Sequence, residues 1–252
     1  MRIIDGIILG IIQGLTEFLP ISSSGHLVLV QEILGLELPG NNFEILLHLG
    51  TLCSILVVFF KDIKSIFSTI SSKKTQKFIL MIFIGTIPAV IIGLGLKDSI
   101  EQLFDDFLVV GFALIFTGLI LISSLYFNRQ KNEYSISSSF LIGLAQAVAI
   151  IPGISRSGMT ISCALLLGLD SKKAAKFSFL LAIPVIGGAG LLMLVDMENG
   201  LNLDTSTSLA GFFSSFFVGV FALKWLLVWL QNGKFHYFGI YCIFIGIITV
   251  LV

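Results

Sequence analysis

Gln13-Gly-Leu-Thr-Glu17-Phe-Leu-Pro20-Ile-Ser22-Ser23-Ser24-Gly25-His26 interrupts an apolar run that reaches from Arg2 to Leu36. Pro152-Gly-Ile-Ser155-Arg156-Ser157-Gly158 breaks a second run, Ser135 to Gly168, in the same way. Pro lacks a backbone donor, and Gly and Ser favour turns, so each run reads as two short helices joined by irregular backbone. Each half is shorter than the roughly 20 residues that cross a bilayer. Non-helical backbone at membrane depth is tolerated only where protein or water covers it. Both runs therefore read as re-entrant helical hairpins.

The rest of the chain agrees with a membrane setting. Of 252 residues, 56% are hydrophobic and 12% charged, about half the charge of an ordinary soluble domain at roughly 25%. Mean hydropathy is +1.04. A soluble enzyme is excluded. Fifteen basic residues balance fifteen acidic ones, leaving no basic face for nucleic acid. Cys53, Cys163 and Cys242 lie far apart in apolar runs and read as buried small hydrophobes. An Asp at position 5 and no small-residue cleavage site argue against a removable signal peptide.

Six apolar stretches have spanning length: Phe43 to Phe60, Phe78 to Leu96, Phe107 to Phe127, Phe177 to Val195, Ser208 to Leu230 and Phe235 to Val252. The loop Lys61 to Lys77 carries five Lys and one Asp, and is expected in the cytoplasm. Arg129, Lys131, Lys172, Lys173, Lys176 and Lys234 fall on the same side, so eleven of fifteen basic residues lie inside. Acidic loops with Asp98, Glu101, Asp105 and Asp106, and with Asp196, Glu198 and Asp204, fall outside. With each hairpin entering and leaving on one side, both termini lie outside.

The two broken runs are related. A shift of 133 aligns Gly10, Gln13, Ile21, Ser22, Ser24 and Gly25 with Gly143, Gln146, Ile154, Ser155, Ser157 and Gly158. A shift of 134 brings Phe43 onto Phe177 and Gly85 onto Gly219. The expectation is an all-α polytopic membrane protein forming a single membrane domain over 1–252. Its halves, about 1–127 and about 135–252, each hold a re-entrant hairpin plus three transmembrane helices. An odd number of crossings per half makes this an inverted repeat, with a site between broken helices near the midplane.

Charged groups at membrane depth cost about 2.5–3.5 kcal/mol each, so Glu17 and Arg156 call for a reason. One reason is an ion pair pinning the hairpins, with serines capping helices. The other is an oxyanion site. Arg matches phosphate oxygens with a planar fork, and hydroxyls and amides at helix N-termini add donors. Glu17 and the neutral amide oxygen of Gln13, one helical turn apart, can hold a divalent metal that bridges phosphates. A hydroxyl beside His26 and Glu17 has the parts of an activated nucleophile. Glu44 and His48 are either an outer support for that site or a helix-packing pair.

Ser-Gly-His with Ser-Arg also occurs in type-2 phosphatidic-acid phosphatases, but those need a second His shortly after the Ser-Arg, and here Ser157-Gly-Met-Thr160 follows. The two motifs, together with Phe43-Glu-Ile-Leu-Leu-His-Leu-Gly-Thr51 and Phe177-Ser-Phe-Leu-Leu-Ala-Ile-Pro184, closely resemble the undecaprenyl-diphosphate phosphatase family of bacitracin-resistance proteins over essentially the whole chain. The resemblance implies hydrolysis of a polyprenyl diphosphate lipid, undecaprenyl diphosphate, to the monophosphate and phosphate in the bacterial plasma membrane. That reaction recycles the lipid carrier of peptidoglycan and confers resistance to bacitracin, which sequesters the substrate. It also implies a divalent metal (Mg or Ca) and a site open to the outside.

Carried over residue by residue, the family's Glu/Gln-x-x-x-Glu pair falls on Gln13 and Glu17, its motif serine and histidine on Ser23 and His26, and its phosphate-binding arginine on Arg156. Ser22, Ser24, Ser155 and Ser157 stand around the phosphate. Gln13 replaces the Glu of some members, which places metal binding more on Glu17, and Ser24 replaces a Thr. Ser23 is the expected nucleophile, with His26 or Glu17 as base; direct attack by water is the alternative. The competing class is a secondary transporter or lipid flippase, which would need binding groups but no nucleophile–base pair. A homo-oligomer stays open.

Overall fold

The structure is a computed structural model that describes residues 1–36, 42–96, 100, 102–126, 133–196 and 204–251, with backbone alone at 42, 105 and 193–196. Lys97, Asp98, Glu101, Arg129, Lys131 and Glu198, used above to orient the chain, lie outside the described residues, as do the side chains of Asp105 and Asp196. Among the described residues the regular structure is helical throughout. The helices are α1 Ile3–Phe18, α2 Ser23–Leu34, α3 Asn42–Val58, α4 Phe60–Ser68, α5 Lys73–Gly95, α6 Phe107–Ser123, α7 Ile136–Val148, α8 Arg156–Leu166, α9 Ser171–Asp196, α10 Thr205–Gln231 and α11 His236–Leu251.

Among the described residues, four apolar helical stretches have spanning length: Lys73–Gly95, Phe107–Tyr126, Ser171–Leu192 and Thr205–Gln231. The chain is thus an all-α, multi-pass membrane protein. The stretch from Phe43 behaves differently from expectation. Its helix stops at Val58, and the chain bends by 68° into α4. The segment Lys61 to Lys77 is therefore not a simple loop, since α4 and the first turns of α5 occupy much of it. Charge counting concealed α4, in which Ile63 and Ile66 pack on the core while Lys61 and Lys64 are exposed. That is the pattern of a helix lying at the membrane surface. α11 has 16 residues, a rise of about 24 Å.

The exposed faces of the long helices are apolar. Phe83, Phe112, Phe217, Phe221 and Phe244 are all exposed, as expected of surfaces solvated by lipid tails. Between helices, small residues replace them. An added Cβ at Gly10 of α1 would lie 2.5 Å from the Gly211 carbonyl of α10, and one at Gly14 would lie 2.8 Å from that of Ser215. Cβ atoms added at Gly111 and Gly118 of α6 would lie 3.1 and 2.6 Å from the Gly246 and Gly239 carbonyls of α11. Without a hydrophobic driving force in lipid, such close backbone approach supplies the packing energy.

These contacts give directions. α1 runs parallel to α10, Gly6 meeting Thr207 and Gly14 meeting Gly219. α7 runs parallel to α5, Tyr134 meeting Phe78, Gly143 meeting Gly85, and Ile150 lying by Gly93. α6 and α11 are antiparallel. The central core gathers Phe18, Ile55, Ile161, Phe177, Phe179, Leu181 and Leu223, with Phe18 edge-on to Phe179 at 5.7 Å.

Candidate active site

Two turns meet where the hairpins reverse. Pro20 follows α1, and α2 begins at Ser23. Ser22 between them has φ 71°, the single left-handed non-glycine among the described residues. Backbone held in so sparsely populated a region occurs mainly at functional sites. Ser22 Oγ accepts the Gly25 N–H at 3.3 Å and caps α2. In the second turn Ser155 Oγ accepts the Gly158 N–H at 3.1 Å and caps α8. Each capping serine also lies 3.3 Å from the hydroxyl two residues on, Ser22 from Ser24 and Ser155 from Ser157.

The turns touch through glycine. A Cβ added to Gly25 would lie 3.2 Å from Gly153 Cα, and one on Gly158 would lie 3.4 Å from Pro20 Cβ. Gly153 has φ 89° and approaches the Val110 carbonyl so closely that a Cβ would stand 2.5 Å from it. The antiparallel pair α6–α11 braces both turns. Thr117 of α6 donates to the Gly153 carbonyl at 3.2 Å and accepts the Ser155 N–H at 3.1 Å. Cys242 of α11 reaches the Pro20 carbonyl at 3.6 Å.

Glu17 is the hub. Arg156 Nη2, from the opposite hairpin, donates to its Oε1 in an ion pair. Its Oε2 accepts Ser23 Oγ at 2.8 Å and Gln13 Nε2 at 3.1 Å, and His48 Nε2 stands 3.4 Å from that oxygen. His48 is held from behind, its Nδ1 2.8 Å from the Glu44 carbonyl, and Gln31 donates to Glu44 Oε1 at 2.8 Å. Four of the sequence-derived residues, Gln13, Glu17, Ser23 and Arg156, thus form one bonded cluster. His26 stands apart from it. Its Nδ1 lies 2.8 Å from the Ser22 carbonyl, an acceptor, so that nitrogen carries the hydrogen and Nε2 faces Tyr241 Oη at 2.9 Å.

The cluster opens into a cavity of 260 Å³ lined by Glu17, Ser23, Ser24, Glu44, His48, Gln146, Ser155 and Arg156. Its apolar wall includes Ile45, Ile150, Ile154, Val185 and Ile186, and Phe104 from the 103–105 turn contributes. Ser22, Ser157 and His26 are buried behind this lining. Several lining residues lack any sequence signal of their own. Gln146 was visible only as the repeat partner of Gln13, and Phe104 sits in an acidic loop that gives no sign of it; Tyr241, which meets His26 outside this lining, lies in ordinary apolar context.

Two buried polar atoms of the cluster have no hydrogen-bond partner among the described residues: Arg156 Nη1 and Gln13 Oε1. The first is a free donor for an oxyanion. The second, with the Glu17 carboxylate, is an oxygen pair of the kind a hard divalent cation accepts. No group of three His, Cys, Asp or Glu stands together among the described residues. Two protein oxygens of this kind, one charged and one neutral, fit a hard divalent cation such as Mg or Ca.

Known proteins with related sequences cover the whole of this arrangement. The chain is 43% identical to a protein of Desulfosudis oleivorans named undecaprenyl-diphosphatase, over 99% of this chain and 98% of the relative. It is 44% identical to an undecaprenyl-diphosphatase of Halothermothrix orenii, over 100% and 98%. To undecaprenyl-diphosphatase 1 of Bacillus cereus it is 41% identical, over 97% and 96%. The profile of one family, Bacitracin resistance protein BacA, matches residues 6–248. Both turns, the Glu17 cluster and the bracing residues Thr117 and Cys242 fall inside that match, and the chain belongs to the BacA bacitracin-resistance family.

Proposed function

We propose that this chain is a membrane phosphatase that hydrolyses undecaprenyl diphosphate to undecaprenyl phosphate and phosphate, recycling a lipid carrier for peptidoglycan synthesis and conferring bacitracin resistance. The observation that carries the mechanism is the bonded series Ser23–Glu17–Arg156, which links nucleophile, base and cation across the two turns. The prenyl tail lies along the apolar wall at Val185 and Ile186 or in adjoining lipid, and the diphosphate enters the cavity. Arg156 keeps Nη2 on Glu17 and offers Nη1 to a phosphate oxygen. Fixed donors in a dry site stabilise developing charge most strongly.

Ser23 Oγ attacks the terminal phosphorus while its proton passes to Glu17, the carboxylate it already faces. The new P–O bond forms as the bridging P–O bond breaks, and undecaprenyl phosphate leaves with the electron pair. Water then attacks the phosphoserine as Glu17 gives its proton back to the departing Ser23 Oγ; phosphate leaves with the water's oxygen and one of its protons, the other passing to solvent, and the carboxylate is restored. Ser24 and Ser155 line the oxyanion cradle, and Ser22 and Ser157, buried behind it, hold the two turns in shape through their contacts with those hydroxyls. His26 serves the first turn, securing the Ser22 carbonyl against α11. Glu17 and Gln13 Oε1 would hold a divalent cation, Mg or Ca, which would supply charge neutralisation on the phosphate oxygens.

The site opens outward in this reading. Phe104, at the far end of α5 from Lys73, lines the cavity. Lys74, Lys77, Lys173 and Lys176 line a separate cleft of 790 Å³ at the opposite end, which the positive-inside rule places in the cytoplasm. α1 starts beside the Asp204 end of α10, and α11 ends beside the start of α6, so both termini lie outside. α1 and α7 then enter from opposite sides and exchange partners between halves, α1 with α10 and α7 with α5. That exchange supports an inverted repeat of two halves within one membrane domain.

The test is phosphate release from undecaprenyl diphosphate by the purified protein, with and without chelator, beside Ser23→Ala. Chelator-sensitive release that Ser23→Ala abolishes is expected. Folded, metal-supplied protein that releases no phosphate would overturn the assignment and favour a carrier of the intact anion.

A further inference from the structure

The polar side chain least accounted for by the cluster is Gln146. It occupies the last turns of α7, is 1% exposed, and lines the same cavity as Glu17, Ser23 and Arg156. Neither its Oε1 nor its Nε2 has a hydrogen-bond partner among the described residues. A carboxamide so placed forgoes its water without receiving a protein partner, which folding tolerates rarely and usually for a functional reason. If packing were all that position 146 required, leucine would fill it with the same bulk and no desolvated amide.

The repeat explains how the amide became free. Gln13, its counterpart 133 residues earlier, donates to Glu17, the residue one helical turn on. One turn after Gln146 stands Ile150, which offers nothing. The first half thus binds its glutamine to the acid, while the second leaves its glutamine unbonded in the cavity wall. Arg156 Nη1, also buried and without a partner, belongs to the same lining residue set. A guanidinium N–H beside a carboxamide N–H suits adjacent non-bridging oxygens of a phosphoryl group. The amide carries no charge, so it adds directionality without another cation to retain the phosphate product.

We infer that Gln146 is a substrate-binding residue whose carboxamide donates to the diphosphate beside Arg156. The inference rests on the phosphatase reading above. The experiment uses the full-length protein in nanodiscs with metal supplied, as wild type, Gln146→Leu, Gln146→Glu and Arg156→Ala. Steady-state phosphate release from undecaprenyl diphosphate, inhibition by inorganic pyrophosphate and the thermal midpoint are measured for each. Gln146→Leu should melt at or above wild type, because no protein group loses a bond. Its KM should rise about 10- to 100-fold, the loss of one hydrogen bond to a charged group, with kcat within a few-fold of wild type and pyrophosphate inhibition weakened. Gln146→Glu should fall further, through repulsion of the anion.

Wild-type kinetics in Gln146→Leu, or a lowered midpoint with unchanged KM, would assign the amide to packing and overturn the inference. Wild-type protein that is folded but inactive would instead bring down the phosphatase reading itself. Active wild type, inactive Arg156→Ala and unaffected Gln146→Leu would refute the role of Gln146 alone.

Discussion

At the scale of single residues, Glu17 and Arg156 are both nearly buried, with side chains 6% and 16% exposed. Removing one partner of such a pair leaves an uncompensated charge and costs about 3–5 kcal/mol, whereas replacing both by apolar side chains is often neutral. Glu17→Met and Arg156→Met should each lower the thermal midpoint, and the double variant should recover most of the loss. Neither the singles nor the double should turn over substrate. Recovery of stability with activity would show that the pair holds the hairpins together and does no chemistry. Both residues were legible in the sequence, because a charge amid apolar residues stands out. Which base faces Ser23 was not legible. His26 is three residues from Ser23 in the chain, yet its ring bonds to Ser22 and Tyr241, while Glu17, six residues away, accepts the hydroxyl.

At the scale of helices, the glycine faces and the caps set the frame. The Cβ that Gly10→Ala would add stands 2.5 Å from a backbone carbonyl, and the one that Gly143→Ala would add meets the Gly85 carbonyl still closer. Overpacking of this kind typically costs about 1–3 kcal/mol. Each variant should lower the midpoint in a thermal-shift series by that order, while Gly95→Ala, whose added Cβ meets nothing within 4 Å, should not. Asp204 caps α10, accepting Thr207 N–H at 3.0 Å. That bond, with the Thr207 hydroxyl, holds its carboxyl below the ordinary range. A lowered value means stabilisation that is present above the unfolded carboxyl's pKa, about 3.9, and lost as pH falls through the folded one. Asp204→Ala should therefore melt below wild type at neutral pH, and the gap should close in a pH series carried below about 4.

At the scale of the molecule, the proposed outward opening of the site can be tested directly. In a background whose three native cysteines are replaced by alanine, Gln102→Cys should react with a membrane-impermeant thiol reagent added to intact cells. Ser71→Cys should react only after permeabilisation. The reverse pattern would place the Glu17 cavity on the cytoplasmic side. The result matters for function, since a site facing outward meets the diphosphate on the side where bacitracin also meets it.

The sequence by itself determined the class of the protein, the two interrupted runs, and the residue types of the cluster. Hydropathy, proline and misplaced charge are local signals that need no contact to be read. The bend of α3 into α4, the bracing of the turns by Thr117 and Cys242, and the joining of Ser23 to Glu17 and Arg156 were decided by tertiary structure alone. So were the different surroundings of Gln13, bonded to Glu17, and Gln146, without a partner among the described residues. Each of these depends on which helix lies against which. That choice was made by small-residue faces whose fit exists only once two backbones meet.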